Sequence, residues 1–454
     1  MLRSMQGRNF KSWADTGNIR LAPITAFFGA NSSGKTSLLQ LLLLLKQTVE
    51  STDRAQVLDL GDERSLVNLG GYQDLIYRHD KNEVFLFGID WDLPEPLEII
   101  HPEQQKAVLF KGNNIGFSTE VDQASGAATE VHRLAYRFSD HEFALERKSQ
   151  GAYSLTAKPL ARADGFAFQR IRGRPWDLPP PVKCYGFPDQ ARTYFQNAGF
   201  LADLERAFED LFANIHYLGP LREFPKRHYA WAGGQPADMG RRGERVIDAL
   251  LASRNRKPIG RGKGKDRFTV EQYVAWWLKK LGLIDDFSLN PVAEGSSLFE
   301  VLVKQSAASA DVLITDVGFG VSQILPVLTL CYYVPEGSVL ILEQPEIHLH
   351  PRVQAGLADV FIDAVKTRKV QILLESHSEH LLRRLQRRIA EEELDPDCAA
   401  LYFCDMKDGQ SRLHELQLDE FGNIVNWPEN FFGDDFGEIA AMTRAVMERK
   451  KQKA

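Results

Sequence analysis

The chain has 454 residues, of which 44% are hydrophobic and 26% are charged. These proportions are typical of a soluble globular protein with two or three packed units, and they exclude a disordered or fibrous chain. The 55 basic and 61 acidic residues give a net charge of -6, so the whole chain lacks the basic excess of a general nucleic-acid binder.

No stretch of apolar residues approaches the roughly 20 that a membrane-spanning helix needs, so no membrane contact is expected. The N-terminal sequence MLRSMQGRNFKSW has neither the apolar core nor the small-residue cleavage site of a secretory signal. A cytoplasmic location is therefore expected. The four cysteines form no C-x-x-C pair, and we expect them to be buried thiols.

The pattern along the chain predicts an α/β fold with a large insertion. An apolar stretch, PITAFFG, indicates a buried strand that leads into a glycine-rich turn and a leucine-rich helix. Short β-type runs from about 80 to 190 predict an antiparallel region, and helical patterns follow at 194–212, 243–253 and 269–283. Two apolar strands after 311, each followed by a helix, predict parallel α/β structure. The three parts are 1–80, 81–310 and 311–454.

The turn after the first buried strand fits the phosphate-binding pattern G-x-x-x-x-G-K-[ST], from Gly29 to Thr36. In this pattern backbone N–H groups surround the phosphates of ATP, Lys35 reaches the β- and γ-phosphates, and the Thr36 hydroxyl ligates Mg²⁺. A strand before the loop and a helix after it point a helix N-terminus at the anion. The residues expected to hold the nucleotide are Asn31, Ser32, Ser33, Gly34, Lys35, Thr36 and Ser37.

Two further residues follow apolar strands that are expected to end near this loop. Glu343 ends the strand VLILE, and its carboxylate can hold Mg²⁺, because hard cations prefer oxygen ligands. His377 follows the strand VQILLES, where an imidazole can donate to the γ-phosphate or orient the attacking water. A single histidine at a strand end is more often structural, so the pattern alone leaves both interpretations open for His377.

Four segments in order resemble the motifs of ABC-type ATPases of the SMC, RecF and overcoming-lysogenization-defect group. They are GANSSGKT with the upstream NFKSW, TDVGFGVSQILPVL, VLILEQPEIHLHP and VQILLESHSEHLLRRL. Together with NWPENFF, they resemble a compact bacterial branch of which several members occur in anti-phage defence operons. The resemblance implies a P-loop ABC-type ATPase head, a mixed sheet with flanking helices, interrupted by the inserted β-rich and then helical region at 81–310.

The resemblance also implies a dimeric site. Gly318, Gly320 and Ser322 correspond to the signature segment, which in this group caps the ATP held by the partner subunit, and Ser322 is expected to begin a helix. Gln73 corresponds to the glutamine that senses Mg²⁺. One chain carries one phosphate loop and one signature segment, so a complete two-ATP sandwich requires a homodimer.

Gln344 stands where the related ATPases usually carry the glutamate that activates water. An amide cannot accept a proton in this way, but it can hold a water in line, so slow hydrolysis is expected. Glu346, two residues further on, is the nearest carboxylate in the sequence that could compensate. The alternative is that Gln344 is a structural turn residue and that the protein only holds ATP.

The remaining features bear on partners. The stretch RNRKPIGRGKGKDR, residues 254–267, is basic and glycine-rich, which fits either a solvated flexible loop or a contact with a nucleic acid or a partner. The nucleases of the overcoming-lysogenization-defect group carry a Toprim domain after the ATPase. Here Asp405 and Asp408 have the wrong spacing for it and lie in what is expected to be a β-hairpin, so no intrinsic nuclease is expected.

These inferences predict a homodimeric, cytoplasmic ATPase that hydrolyses ATP slowly. Its closure is expected to control a separately encoded effector, a nuclease or toxin, in anti-phage defence. Two alternatives stay open at this stage: an ATPase that senses DNA structure or DNA damage through residues 254–267, and a nonhydrolytic scaffold in which ATP only holds the dimer together.

Overall fold

A computed structural model describes residues 1–101, 107–123, 128–148, 151–160, 165–174, 177–260, 266–428, 441–447 and 449. No helix within these ranges is both long enough and apolar enough to cross a lipid bilayer. The four cysteines carry free thiols. Cys184, Cys331 and Cys404 are buried, whereas Cys398 is half-buried.

The strands and helices alternate in a way that brings distant parts of the chain into shared sheets. The strands are β1 Leu2–Phe10, β2 Trp13–Asp15, β3 Ile19–Arg20, β4 Ile24–Gly29, β5 Phe85–Ile100, β6 Val108–Gln123, β7 Thr129–Phe138, β8 His141–Arg147, β9 Tyr153–Pro159, β10 Ile215–Leu218, β11 Tyr229–Ala230, β12 Ile259–Gly260, β13 Arg267–Phe268, β14 Asp286–Pro291, β15 Leu298–Lys304, β16 Asp311–Leu313, β17 Val339–Glu343, β18 Gln371–Glu375, β19 Ala399–Lys407 and β20 Gln410–Glu415. The helices are α1 Lys35–Glu50, α2 Tyr72–Leu75, α3 Asp189–Tyr194, α4 Leu201–Ala213, α5 Val246–Ser253, α6 Val270–Lys280, α7 Phe319–Tyr333, α8 Pro351–Arg368 and α9 Glu379–Ala390. Residues 441–447 are also helical.

The central sheet determines where the strand ends meet. In the described part of the chain it has six strands in the order β10-β17-β18-β4-β19-β20. Every pair is parallel except the hairpin β19–β20. Parallel strands end at the same edge of a sheet. The ends of β17, β18 and β4, which carry Glu343, Glu375 and Gly29, therefore lie side by side.

The central sheet separates two hydrophobic cores, because the side chains of a strand point alternately to its two faces. In β4, Ile24, Ala26 and Phe28 pack into one core and Phe27 packs into the other. The first core also contains the buried faces of α5 to α9, and the second contains the leucines of α1. Burial on both faces explains why these strands read as continuous apolar runs.

An antiparallel sheet covers α1 on its outer side. Its main path runs β2-β1-β5-β6-β7-β8-β9, with β3 paired to β1. Alternating buried and less buried residues along β5 show that one face of the sheet packs on the core. Phe117 and Tyr136 on this face contact Phe208 of α4, with ring centroids 4.6 and 6.3 Å apart. This α4 contact closes the second core.

The lysine at position 183 holds the far end of α1. Its Nζ donates to the carbonyl oxygens of Thr48, Val49 and Ser51 at 2.7, 3.0 and 2.7 Å. Burial lowers the pKa of Lys183. The last turn of α1 has no basic residue of its own, so this ammonium group supplies the positive charge that the carbonyl end of a helix favours. Both ends of α1 are thus held by a buried lysine, Lys183 and Lys35.

Two strands cross the expected boundaries between the three parts of the chain. The N-terminal β1 pairs with β5 in the outer sheet, and β10, from within the range 81–310, pairs with β17 in the central sheet. The short strands β11 and β14 to β16 form a third sheet, and β12 and β13 form a hairpin. The inserted region is therefore joined to the head by hydrogen-bonded strand pairs.

Glu205 of α4 makes the stability of this fold dependent on pH. Its carboxylate accepts a hydrogen bond from the Phe187 N–H at 2.7 Å, and burial raises the pKa of Glu205 to about 7, from an ordinary value of 4.5. The folded chain then holds this proton at pH values where the unfolded chain has lost it. The stability that the protonated Glu205 side chain contributes is fully present below about pH 4.5, and it is lost as the pH rises through about 7.

Glu205→Gln keeps an acceptor for Phe187 and removes the titration. We expect urea unfolding to show a gain of about 1–2 kcal/mol over the wild type at pH 8, and less than about 0.5 kcal/mol at pH 4.5. Asp210→Asn, at an exposed position of the same helix, is the control and should show no such difference. An equal effect of Glu205→Gln at both pH values would contradict the assignment.

Candidate functional site

The phosphate loop connects β4 to α1 and depends on two glycines. Gly29 has φ 141°, and a Cβ atom there would lie 2.1 Å from the Cys404 carbonyl oxygen. Gly34, at the N-cap of α1, has φ 92°, and a Cβ atom there would lie 2.4 Å from the Ser411 hydroxyl. Only glycine fits these two positions, because residues of β19 and β20 lie directly against the loop and leave no room for a side chain.

Lys35 begins α1 with its ammonium group turned back into the loop. Its Nζ donates to the carbonyl oxygens of Gly29 and Ala30 at 3.0 and 2.6 Å and lies 3.9 Å from Glu375 Oε1. The side chain is 3% exposed. Burial lowers the pKa of Lys35, and the nearby Glu375 carboxylate opposes this shift. A buried cation held mainly by carbonyl oxygens is a strong binding partner for an anion.

A cavity of about 260 Å³ opens above the loop. All seven residues predicted to hold the nucleotide line it, and the other lining residues are Ser12, Gln344 and Glu375. The Ser33 hydroxyl is buried and has no hydrogen-bond partner. A concave, polar site with a buried cation and an orphaned hydroxyl fits the phosphates of a nucleotide.

Glu343 ends β17 as predicted, but its carboxylate has another partner. Tyr217 Oη of β10 donates to Glu343 Oε1 at 3.0 Å, and Arg222 Nη2 donates to the Glu343 carbonyl oxygen at 3.4 Å. Burial, followed by the neighbouring Glu375 charge, raises the pKa of Glu343 to about 7. Glu343 is not among the residues that line the cavity.

The carboxylate that faces the cavity is Glu375, which the sequence analysis did not select. Thr36 Oγ1 donates to Glu375 Oε2 at 2.6 Å. Glu375 ends β18 and pairs in register with Glu343 of β17. The signal in the sequence was a glutamate directly after the apolar residues Ile372–Leu374, two residues before His377. A charged residue that is buried at the last position of a strand, as Glu375 is, indicates a functional site as clearly as a polar residue after the strand, as His377 is.

Gln344 lies in the cavity wall with an unusual backbone conformation. Its φ is 44°, in the left-handed region that residues other than glycine seldom adopt. The Gln344 N–H donates to the Glu375 carbonyl oxygen at 2.9 Å, which ties the turn to β18. This geometry places the amide beside the phosphate loop. A positive φ in a cavity wall is a form of strain that functional sites often contain.

Glu346 and His377 are connected to each other. Glu346 Oε1 accepts a hydrogen bond from the His377 N–H at 2.7 Å, and neither residue lines the cavity. Burial raises the pKa of Glu346. The His377 side chain is exposed. Partial desolvation, followed by the nearby Lys35 charge, lowers the pKa of His377. Glu346 thus holds the turn that carries His377, and His377 lies beside the loop.

The predicted signature residues lie away from their own phosphate loop. The helix begins at Phe319 with Gly318 as its N-cap, so the expectation that Ser322 begins it is wrong by three residues. The reason is that the extended backbone of Val317 and Gly318 ends at Gly318, so the helical conformation starts directly after it. Ser322 is buried, and its hydroxyl donates to the Phe319 carbonyl oxygen at 2.8 Å. A Cβ atom added at Gly318 or Gly320 would meet no neighbouring atom closer than 3.4 Å, so both positions have room for a side chain.

Gln73 lies on the short helix α2, where it is exposed. The Leu75 carbonyl oxygen of this helix accepts from the Lys11 N–H at 2.7 Å, next to Ser12 in the cavity wall. Gln73 is not itself a lining residue. Its role in sensing Mg²⁺ stays a prediction.

The basic segment 254–267 is partly held by the fold, and its residues 261–265 lie outside the described part of the chain. Arg254 pairs with Glu271 through two hydrogen bonds of 2.7 and 2.9 Å. Arg256 donates to the Tyr333 carbonyl oxygen at 2.7 Å and lies over the Tyr333 ring. Two of its cations thus have partners in the fold. A DNA contact through this segment stays a prediction.

Asp405 and Asp408 lie in and after β19 of the β19–β20 hairpin, as expected. Among the described residues, no group of three or more histidine, cysteine, aspartate or glutamate side chains is arranged to hold a metal ion. Mg²⁺ at this site would therefore be shared between few protein ligands and the phosphates, as is usual for nucleotide sites.

Family models match the chain in three separate segments. Residues 265–382 match an AAA ATPase domain. Residues 24–95 match an AAA domain described as a suggested AbiEii toxin of a type IV toxin–antitoxin system. Residues 394–442 match a protein family of unknown function, DUF3696. No curated protein matches the chain.

Solved structures with some similarity include SMC head domains. An SMC head bound to the C-winged helix domain of ScpA is 12% identical, with a TM-score of 0.44, over 92% of this chain and 98% of that chain. The SMC head of Thermotoga maritima is 11% identical, with a TM-score of 0.37, over 92% and 99%. An SMC head with an extended coiled coil, bound to the C-terminal domain of ScpA from Pyrococcus furiosus, is also 11% identical, with a TM-score of 0.42, over 92% and 96%.

The two ATPase-domain matches enclose the site from both sides. The match over 24–95 includes β4 and the phosphate loop, and the match over 265–382 includes β17, β18 and the start of α9. In the structure these distant segments form one edge of the central sheet. The chain therefore has the mixed α/β fold of a P-loop ATPase head, and its ATPase domain is assembled from both ends of the sequence.

Proposed function

We propose that the protein is a homodimeric ABC-type ATPase that binds ATP with Mg²⁺ and hydrolyses it slowly. Its conformational change would regulate a separately encoded effector in anti-phage defence. The observation that carries the proposal is the buried Lys35 ammonium at the base of a polar cavity that all the predicted phosphate-binding residues line. Two carbonyl oxygens and a carboxylate oxygen 3.9 Å away compensate this cation only in part, and phosphate oxygens would compensate it well.

The residues of the site divide into binding and orienting roles. Lys35 and the backbone N–H groups of the loop bind the phosphates, and Thr36 with the Glu343 carboxylate would hold Mg²⁺. Mg²⁺, when bound, neutralises phosphate charge that develops during transfer. Gln344 orients a water from the cavity wall, and His377 donates beside the loop. Without a strong base, hydrolysis depends on positioning, which supports a slow reaction.

The position of the signature segment supports a two-chain site. Gly318 and Gly320 are outside the cavity of their own chain and carry no close neighbour on their open side. Gly318 and Phe319 are exposed at the start of α7, and the free N–H groups of a helix N-terminus favour an anion. The ATP bound to the phosphate loop of a second copy of the chain can supply that anion, and the signature segment would then cover this ATP. The open face thus favours the sandwich that the resemblance implies.

The proposal that the protein regulates a separate effector is supported by the sequence comparisons. The region 24–95 is similar to a family described with a toxin of a toxin–antitoxin system, and the sequence resembles ATPases of defence operons. A switch that binds ATP, closes and reopens slowly suits control of a separate toxic activity. Purification with the products of neighbouring genes tests this part. Recovery of the protein alone, with and without ATP, would count against an effector complex.

The first prediction concerns nucleotide binding. Lys35→Ala removes the cation that binds the β- and γ-phosphates, and we expect the affinity for ATP with Mg²⁺ to fall at least about 100-fold. Titration with a fluorescent ATP analogue measures this loss. Lys158→Ala, which removes a lysine that is 60% exposed on β9, is the control and should bind as the wild type does. Unchanged binding by Lys35→Ala would refute the site assignment.

The second prediction concerns the dimer. Gly318→Arg places a long side chain on the open face of the signature segment, at a φ of -58° that any residue adopts. We expect this variant to bind ATP normally but to stay monomeric with ATP, whereas the wild type dimerises. Light scattering on a size-exclusion column measures the mass of both proteins.

The dimer experiment has a matched control. Gly199→Arg also enters open space, in an exposed turn before α4, and should dimerise as the wild type does. If Gly318→Arg dimerises with ATP as readily as the wild type, the signature segment is not at the interface.

The third prediction concerns turnover. We expect the wild type to release phosphate at below about 1 s⁻¹, the low end of ordinary enzyme rates. Glu343→Gln and His377→Ala should lower this rate further, and Gln344→Glu should raise it by supplying a base. Steady-state phosphate release from the four proteins measures the effects. No detectable release from the wild type would favour the nonhydrolytic scaffold, and fast release unaffected by Glu343→Gln or His377→Ala would place catalysis elsewhere.

A further inference from the structure

Two buried carboxylates meet at the edge of the central sheet. Glu343 and Glu375 are register partners at the ends of β17 and β18. Paired residues on parallel strands point to the same face of a sheet, so both side chains lie on one face, at the edge where the two strands end. Glu343 and Glu375 are 6% and 3% exposed. Two carboxylates buried this close together repel each other, and a bound cation would relieve the repulsion.

The contacts of the two carboxylates differ. Glu343 accepts from the Tyr217 hydroxyl at 3.0 Å, on the side of β10. Glu375 accepts from the Thr36 hydroxyl at 2.6 Å, lies 3.9 Å from the Lys35 ammonium and lines the phosphate cavity. Thr36 and Lys35 are the two side chains that the loop pattern assigns to Mg²⁺ and to the phosphates. Glu375 is therefore the acidic group closest to both.

The distance between the Thr36 and Glu375 oxygens suits a shared cation. Mg²⁺ binds oxygen at 2.0–2.1 Å in an octahedron, so two neighbouring ligand oxygens lie roughly 2.9 Å apart. The 2.6 Å that separates Thr36 Oγ1 from Glu375 Oε2 is close to this spacing. The hydroxyl now donates its hydrogen to the carboxylate. Rotation of the hydroxyl hydrogen alone would turn an oxygen lone pair of Thr36 toward a cation.

We propose that Glu375 is a magnesium ligand of the ATP site, acting with Thr36 directly or through a bound water. The proposal rests on the proposed ATPase function and adds a residue to it. It also accounts for Gln344, whose N–H donates to the Glu375 carbonyl oxygen and whose side chain lines the same cavity. A glutamate at position 344 would be a third carboxylate beside Glu343 and Glu375. The neutral amide of Gln344 keeps the negative charge at this edge lower, whereas Gln344→Glu would add a third negative charge together with a base.

The test separates metal binding from loop structure. ATP affinity is measured with a fluorescent ATP analogue in Mg²⁺ and in EDTA, for the wild type and for Glu375→Gln, which keeps an acceptor for the Thr36 hydroxyl. In the wild type Mg²⁺ should tighten binding. In Glu375→Gln this tightening should fall about tenfold or more, while affinity in EDTA stays equal or rises, because a negative charge near the triphosphate is removed.

Variants and a spectroscopic measurement make the result specific. Glu375→Asp keeps the charge with a shorter reach and should retain part of the Mg²⁺ effect. Glu294→Gln, in an exposed turn, should behave as the wild type does. Electron paramagnetic resonance of Mn²⁺ with ADP should show a bound-metal spectrum that Glu375→Gln weakens or changes. Thermal melting of each variant verifies that it is folded.

The outcomes are distinct. A parallel loss of affinity in Mg²⁺ and in EDTA would show that Glu375 only shapes the loop, and would overturn the inference. An unchanged Mg²⁺ effect with lost turnover would make Glu375 a base and would also overturn it. Both results leave ATP binding by the wild type, and hence the proposed function, intact. A wild type that binds ATP in neither buffer would instead refute the proposed function.

Discussion

A buried ammonium group at the junction of β4 and α1 is the constraint on which the site depends. Lys35 has almost no contact with water, and its partners are two carbonyl oxygens of its own loop and, at longer range, a carboxylate. Burial of a cation is costly unless hydrogen bonds and an opposite charge compensate it. The loop glycines and the neighbouring strand ends place carbonyl and carboxylate oxygens around the Lys35 ammonium, and the polar cavity opens beside it. They leave room for an anion to complete it.

The central sheet provides the rigidity that such a site needs. Its middle strands are buried on both faces, with one core against the helices of the C-terminal part and another against α1 and the outer sheet. Side chains at the ends of these strands therefore have little freedom to move. The carboxylates of Glu343 and Glu375 stay close although they repel each other, because the strand pairing determines their separation. Packing maintains the electrostatic strain, and ligand binding can release it.

The local parts of the site could be predicted from the sequence, and the parts that depend on strand order could not. The loop from Gly29 to Thr36 and the strand end at Glu343 are continuous motifs with a known geometry. Glu375 was missed because its importance arises from the placement of β18 between β17 and β4. Tyr217 contacts Glu343 for the same reason, across 126 positions of the chain. No periodicity within a segment indicates which strands become neighbours.

The strand that ends at Glu375 begins at Gln371, whose buried carboxamide binds the backbone of Leu2 through both its oxygen and its nitrogen, at 2.8 Å each. The nitrogen also donates to the Ala22 carbonyl oxygen at 3.0 Å. Four residue steps of extended backbone, roughly 13 Å, separate the two ends. Strand β18 thus connects the phosphate cavity, at Glu375, with the first strand of the outer sheet, at Leu2. An axial displacement of β18 at the cavity would therefore act directly on the hydrogen bonds that Gln371 makes with Leu2 and Ala22.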